Sequence, residues 1–299
     1  GQAFAQTTCY WDANDSTAGF GTAGGTWAAP TTNNSTQGWS TSAAGTSAMS
    51  GTTTTNATDA LNFGTGSAGL SLGTITVSGT VNANSLTFGS ASGNITLSGG
   101  TITLGGTTPT ITTDNTADTI SSVLAGSAGM TKNGTGTLTL NFAANNTYTG
   151  ATTITAGTLV LQPTSAFNGS TWSTSSNTTI NSGGRLVINT TAQTAGSSQQ
   201  AVGNITVNSG GTLELTNTVT NVSYSEWSSG TILGSGTLIK SGAGYQGIAW
   251  SGASATGFNN FNGTVLVNAG TLAINKNAAI GNGQVDMTVA SGASFDIRT

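Results

Sequence analysis

The sequence contains no histidine and very few charged residues. Charged residues make up 5% of the 299-residue chain, whereas a typical soluble domain has about 25%. Without histidine there is no Ser-His-Asp or Cys-His nucleophile, and the usual zinc sites are missing. The net charge of −4 is spread thinly, so no basic stripe displaces phosphate counterions. We therefore predict a protein that binds no nucleic acid, needs no cofactor and is not an enzyme.

Cysteine, proline and long apolar runs are also scarce. The single cysteine, Cys9, excludes an internal disulfide framework. It is either a half-buried small residue near the N-terminus or a link to another subunit. No apolar run approaches the roughly 18 residues of a membrane helix, which predicts no direct membrane insertion in this segment. With only 3 prolines and little charge, the chain also lacks the usual composition of a disordered protein.

Glycine, threonine and a two-residue alternation dominate what is present. Short runs such as Leu61–Phe63, Ile75–Val77 and Ile95–Leu97 alternate apolar and polar residues. This period predicts strands with one buried and one solvated face. Ser-Gly-Gly triplets separate the runs and supply turn conformations. Because no stretch shows a 3.6-residue period, we predict an all-β protein.

The strand pattern repeats at the length of one solenoid coil. Ile180–Ile188 realigns on Val207–Leu215, 27 residues later. A hairpin sandwich has turns every 8 to 12 residues without a lasting period, whereas 20 to 30 residues suit one coil of a β-solenoid. We therefore predict a right-handed parallel β-helix over residues 56–299. Its inward columns are predicted to contain Leu138, Leu159, Leu186, Leu213, Leu238 and Leu272.

The two ends of the chain are expected to differ from these repeats. Ala3-Phe4-Ala5 fits the small-x-small rule, so residues 1–5 are interpreted as a signal-peptide remnant. Residues 6–55 are predicted to form an N-terminal cap in which Trp11, Trp27 and Trp39 cover the first coil. A carbohydrate-stacking surface is the alternative for these tryptophans. The strand at 294–299 is expected to be uncapped, so that the chain continues or stacks on another subunit.

Acidic residues suggest few candidate sites. Asp12 with Asp15, and Asp114 with Asp118, are weak calcium candidates, and Asx turns explain the same residues without metal. Glu214 lies between two leucines and is expected to point outward as a solubility residue.

Two segments resemble a known family repeat. Met130–Leu140, Asn146–Gly150 and Ala156–Leu161 are similar to the autotransporter-associated β-strand repeat, and Leu238–Ile274 is a divergent second copy with Phe261 in place of tyrosine. This repeat occurs in passenger domains of secreted bacterial autotransporters and in very large surface proteins. The resemblance implies a β-solenoid scaffold at the bacterial cell surface. Lys132 and Lys240 match in both copies and are expected to be solvated at a coil corner.

Together these patterns favour a non-enzymatic, extracellular structural protein. It would be a surface stalk, an adhesin scaffold or a fibre subunit that assembles head to tail, with copies of itself, other surface proteins or glycans as partners. A carbohydrate-active lyase or hydrolase is one alternative, since parallel β-helices host such enzymes. A threonine-rich ice-binding solenoid is another, because Thr-x-Thr occurs at Thr74–Thr76 and elsewhere, although the spacings look too uneven for one clean row.

Overall fold

The computed structural model describes residues 6–47, 49–163, 177–189, 198–199, 203–218, 226–227, 231–248, 260–275 and 285–298. Within these ranges the regular secondary structure is entirely β-strand, which confirms the predicted fold class. None of the described segments is a helix with the length and hydropathy that a membrane crossing needs. The chain divides into two compact units, residues 1–150 and 151–299. Residues 1–5, interpreted as a signal-peptide remnant, lie outside the described residues.

Unit 1 contains sixteen strands in the described residues. They are β1 (Thr8–Asp12), β2 (Thr26–Trp27), β3 (Thr31–Thr32), β4 (Gly38–Ser40), β5 (Thr52–Thr53), β6 (Ala60–Phe63), β7 (Gly73–Val77), β8 (Thr80–Ala83), β9 (Ser85–Phe88), β10 (Ile95–Ser98), β11 (Thr101–Leu104), β12 (Thr110–Thr113), β13 (Ala117–Ile120), β14 (Val123–Ala125), β15 (Met130–Asn133) and β16 (Thr137–Phe142).

Three sheets of unit 1 form the faces of a parallel β-solenoid. The first has the order β4-β1-β6-β9-β12-β15, the second β2-β7-β10-β13-β16, and the third β8-β11-β14. Each strand pairs with the strand one coil further along the chain, and only β1–β4 and β3–β5 are antiparallel among the described pairs. Consecutive faces are joined by short corners, so the chain winds in one sense from coil to coil.

Unit 2 contains sixteen described strands. They are β17 (Thr152–Ile154), β18 (Gly157–Pro163), β19 (Thr178–Ile180), β20 (Gly184–Asn189), β21 (Ser198–Gln199), β22 (Ile205–Val207), β23 (Thr212–Thr216), β24 (Glu226–Trp227), β25 (Ile232–Gly234), β26 (Thr237–Ser241), β27 (Tyr245–Ile248), β28 (Asn260–Phe261), β29 (Thr264–Val267), β30 (Thr271–Asn275), β31 (Asp286–Val289) and β32 (Ser294–Arg298).

Unit 2 is also a parallel solenoid with three sheets. Their orders are β17-β19-β22-β25-β28, β18-β20-β23-β26-β29-β31 and β21-β24-β27-β30-β32. The long second sheet keeps its register over several coils, because Leu159, Leu186 and Leu213 pair directly.

The core consists of stacked inward side chains. In unit 1, Ile75, Leu97, Ile120 and Leu140 pair in register along the second sheet. All four are at most 1% exposed. Successive strands lie about 4.8 Å apart, so each aliphatic side chain covers the one below it and removes apolar area from water, at roughly 25 cal/mol per Å².

The predicted leucines are buried, but they do not form one column. Leu238 follows Leu213 in register and is itself followed by Val265. Leu272 lies on β30 in the third sheet of unit 2, where it pairs with Gln246 and Phe295. A corner separates Leu272 from the second sheet, so it belongs to a different column from Leu238.

The parallel stack begins within the segment assigned to the cap. Cys9 on β1 pairs with Leu61 on β6, and Trp27 on β2 pairs with Val77 on β7. Strand β4 runs antiparallel on the other side of β1 and brings Trp39 opposite Trp11. Residues 6–55 therefore contribute two strands, β1 and β2, to the parallel sheets, together with the antiparallel strands β3, β4 and β5.

Candidate functional site

The matching lysines of the two repeat copies are buried at solenoid corners. Lys240 is fully buried, and its ammonium donates hydrogen bonds to Ser241 O at 2.7 Å, Gly242 O at 2.7 Å and Ala269 O at 3.1 Å. The first two carbonyls belong to its own corner, and the third belongs to the corner one coil further on. The side chain therefore ties two successive coils together.

Lys132 makes the same local arrangement in unit 1. It is also fully buried, and its ammonium donates to Asn133 O at 2.7 Å and Gly134 O at 2.9 Å. Gly134 and Gly242 have φ of 76° and 75°, a conformation that glycine adopts readily and that shapes both corners. Burial lowers the pKa of each lysine to about 8, and for Lys132 the charges of Asp114 and Asp118 oppose that shift. The expectation of solvated lysines was wrong, because backbone carbonyls replace water around them.

The other residues of the repeat also serve the stack. Tyr148 and Phe261, the aromatic residues of the two copies, are at most 1% exposed. A Cβ on Gly150 would overlap Gly129, and one on Gly263 would overlap Gly236 O. The glycine after each aromatic residue is thus required by close approach of two backbones.

The repeat specifies a corner rather than a face. In unit 2, the Ala-Gly pair at Ala156 joins β17 of the first sheet to β18 of the second. The equivalent pair at Ala269 joins β29 of the second sheet to β30 of the third. The same short sequence therefore builds two different corners of one solenoid.

A buried polar cluster lies where the corner before β13 meets the start of that strand. Asp118 is 2% exposed, and its Oδ1 accepts hydrogen bonds from Ile95 N and Asn115 Nδ2, each at 2.9 Å. Asn115 Nδ2 also donates to Gly93 O at 2.9 Å. Burial raises the pKa of Asp118 to about 6, against the opposing effects of both hydrogen bonds and of the charge on Lys132.

The four calcium candidates differ in burial and in the hydrogen bonds that their carboxyl groups accept. Asp114 is exposed whereas Asp118 points into the core. Asp12 is fully buried and its carboxylate accepts from Asn14 N at 3.0 Å, while Asp15 accepts from Met49 N at 3.0 Å. Over the part of the chain that the structure describes, no three His, Cys, Asp or Glu side chains are grouped to hold a metal ion. The Asx-type hydrogen bonds account for Asp12 without one.

The three tryptophans form one buried aromatic cluster. Trp39 contacts Trp11 and Trp27 edge to face, with ring centroids 5.0 and 5.4 Å apart. Phe63 packs at 5.9 Å from Trp39 and stacks on Phe88 of the next coil at 5.1 Å. At most 5% of each tryptophan is exposed, so these rings offer no face to a sugar, and the carbohydrate-stacking hypothesis for them was wrong.

Outward positions carry polar side chains at regular intervals. Glu214 contacts Arg185 as an ion pair and accepts a hydrogen bond from Ser241. In unit 1, outward Thr74, Thr96 and Thr119 pair in register, followed by Thr139. The Thr-x-Thr motifs themselves do not form one row, as expected from their spacing, because Thr74–Thr76 lies on β7 of the second sheet and Thr101–Thr103 on β11 of the third.

Comparison with known proteins agrees with this geometry. Residues 130–161 and 238–274 match the family model of the passenger-associated-transport-repeat, which confirms the resemblance seen in the sequence. The chain is also similar to the adhesin BmaC autotransporter of Brucella suis biovar 1 (strain 1330), with 38% identity over 157 residues. The match covers 52% of this chain and 4% of that adhesin. No solved structure matches the chain.

The buried polar residues were not identified from the sequence, although the alternation of apolar and polar residues places them on the inward side of their strands. Lys132 has the parity of Met130, Lys240 that of Leu238, and Asp118 that of Ile120, and each of those apolar partners is buried. Treating charge as evidence of exposure overrode this pattern. Asn146, whose Oδ1 accepts from Leu124 N at 2.8 Å at the edge of the third sheet of unit 1, was not recognised as a capping residue either.

Proposed function

We propose that this chain is a non-enzymatic segment of an extracellular, adhesin-like β-solenoid. The observation that carries the proposal is the 38% identity to an autotransporter adhesin over half of a chain that folds as a parallel solenoid. The absence of histidine from the sequence supports the non-enzymatic part. In this role the solenoid is a scaffold that spaces binding surfaces from the bacterial cell, and its partners are other surface proteins, glycans or further copies.

The finer proposal concerns how coils meet end to end. β31 and β32 are the outermost described strands of their sheets, and Val289 and Ile297 on them are 42% and 58% exposed. This coil presents backbone hydrogen-bonding groups and aliphatic side chains, which suit another coil. That coil comes either from more of the same polypeptide or from a second copy that stacks head to tail.

Electron microscopy of the purified chain tests this assembly. Negative-stain images with long fibres would support head-to-tail stacking, and Ile297→Lys should then shorten them by placing a charge in the contact. Isolated short rods would favour a passenger-like scaffold. Release of sugars from a panel of polysaccharides would overturn the non-enzymatic proposal and favour the lyase or hydrolase alternative.

A second candidate function is ice binding. The in-register threonines of the second sheet of unit 1 form a hydroxyl-bearing outer column whose members lie about 4.8 Å apart. Thermal hysteresis of the purified chain tests this function, with Thr96→Lys as the variant that interrupts the row. Absence of hysteresis in the unmodified chain excludes it.

A further inference from the structure

Two buried oxygen atoms at the Asp118 corner lack a hydrogen-bond donor. Asp118 Oδ2 and Asn115 Oδ1 are inaccessible to solvent, and neither has a partner among the described residues. The two side chains are already joined, since Asn115 Nδ2 donates to Asp118 Oδ1 at 2.9 Å. A buried acceptor without a donor is unfavourable, so the hydrogen bonding of this corner is incomplete while both oxygens act only as acceptors.

We propose that Asp118 is a proton-dependent coil staple, meaning a contact that joins adjacent coils only when it is protonated. In mildly acidic solution its carboxyl group is protonated in the folded protein, and the Oδ2 hydroxyl donates a hydrogen bond to Asn115 Oδ1. One proton then satisfies both unpaired atoms. The acid and the amide already make one hydrogen bond, so the second closes the pair. Loss of the proton leaves a charged oxygen in the core without a hydrogen-bond donor, which is unfavourable.

The pair is placed to hold adjacent coils together. Asp118 accepts from Ile95 N and Asn115 donates to Gly93 O, and both backbone groups belong to the preceding coil. Asp118 also lies in register with Leu138 of the following coil. The protonation state of this carboxyl group therefore affects the packing of three successive coils of unit 1.

The charged groups nearby do not reverse the preference of the buried Asp118 carboxyl for its protonated form. Lys132 on β15 favours the ionised carboxylate, but its effect on the Asp118 pKa is smaller than that of burial, and the value stays at about 6 against 3.8 for an ordinary aspartate. The charge of the exposed Asp114 opposes the lowering of the Lys132 pKa by burial. The proton-dependent contact of Asp118 does not depend on the adhesin-like role proposed above.

A folded-state pKa above the unfolded value fixes the direction of the pH effect. The folded protein binds the proton more tightly, so the contribution of Asp118 to stability is complete below about pH 3.8 and is lost as pH rises through about 6. Burial also raises the pKa of Asp12, so the contribution of Asp118 is read from the difference between the unmodified protein and a variant at position 118.

Thermal unfolding of the full chain, followed by far-UV circular dichroism from pH 4 to pH 7, tests the proposal. We expect Tm to fall as pH rises in the unmodified protein, and Asp118→Asn to flatten this slope, because its amide supplies the missing donor at every pH. Asp286→Asn, at an exposed position on β31, is the matched control and should keep the original slope.

Two results would overturn the staple. One is an unchanged pH slope in Asp118→Asn. The other is a lower Tm of that variant at pH 7 but not at pH 4, which would mean that the ionised carboxylate stabilises the corner. If Asp118→Asn does not fold, infrared spectroscopy of Asp12→Asn decides, because burial also raises the pKa of Asp12: a protonated-carboxyl band that persists at pH 5 in this variant supports the proposal, and its absence at that pH refutes it.

Discussion

A lysine can occupy a protein core when its ammonium finds acceptors for its hydrogens. Lys240 meets that condition with three carbonyl oxygens at 2.7 to 3.1 Å. A solenoid corner suits it, because carbonyls that turn away from the strand ladder would otherwise need water or a side chain. The cation therefore replaces water at a place where water is excluded.

Replacing Lys240 by methionine should destabilise the protein. Methionine fills a similar volume but leaves carbonyl acceptors unpaired, so we expect a loss of about 2 kcal/mol in the free energy of unfolding. Urea denaturation at pH 7 measures this loss. Arg185→Met, which removes a cation with 44% side-chain exposure, is the control and should cost less than about 1 kcal/mol. Equal losses of unfolding free energy in the two variants would contradict the conclusion that Lys240 ties two successive coils together.

Cys9 should be chemically inert in the folded protein. It is 5% exposed, and burial, together with the charge of Asp59, raises the pKa of its thiol to about 11. The thiolate that reacts with disulfide reagents is therefore rare at pH 8. We expect no labelling by a thiol reagent under native conditions and one labelled thiol per chain in denaturant. A disulfide-linked dimer on a non-reducing gel would instead support the subunit-link interpretation.

At the scale of strands, the alternation of apolar and polar residues determines which side chains face inward. It correctly placed the leucines of β18, β20, β23 and β26 in the core, and it placed Glu214 outside. It could not locate the corners, since insertions of different length are absorbed there without changing the register. That is why the sequence does not reveal that Leu272, one corner beyond Val265, lies in a different column from Leu238.

The inward parity of β23 predicts a large difference between neighbouring substitutions. Leu213 is fully buried between Leu186 and Leu238, so Leu213→Asp removes aliphatic packing and buries an unpaired charge, at a cost of at least about 3 kcal/mol. Thr212 points outward, and Thr212→Ser should change stability by less than about 0.5 kcal/mol. Thermal unfolding compares the two variants, and equal Tm values would show that the parity of this strand is misassigned.

At the scale of the whole molecule, stability rests on backbone ladders and stacked aliphatic side chains rather than on charges. Charged residues make up only 5% of the chain, and the ion pair between Arg185 and Glu214 lies on the outer face of the second sheet of unit 2. The buried lysines act through short hydrogen bonds to carbonyls, which salt screens far less than it screens exposed charges. Ionic strength should therefore have little influence on the fold.

Raising sodium chloride from 10 mM to 1 M is expected to shift Tm by less than about 3 °C, because a surface ion pair such as Arg185–Glu214 is worth at most about 1 kcal/mol. Differential scanning calorimetry at pH 7 measures the shift. Arg185→Met lacks the Arg185–Glu214 ion pair and should respond to salt even less than the unmodified protein. A fall in Tm well beyond this limit, retained in Arg185→Met, would mean that unscreened charges elsewhere hold the coils together, and the stacked aliphatic columns would not be the main source of stability.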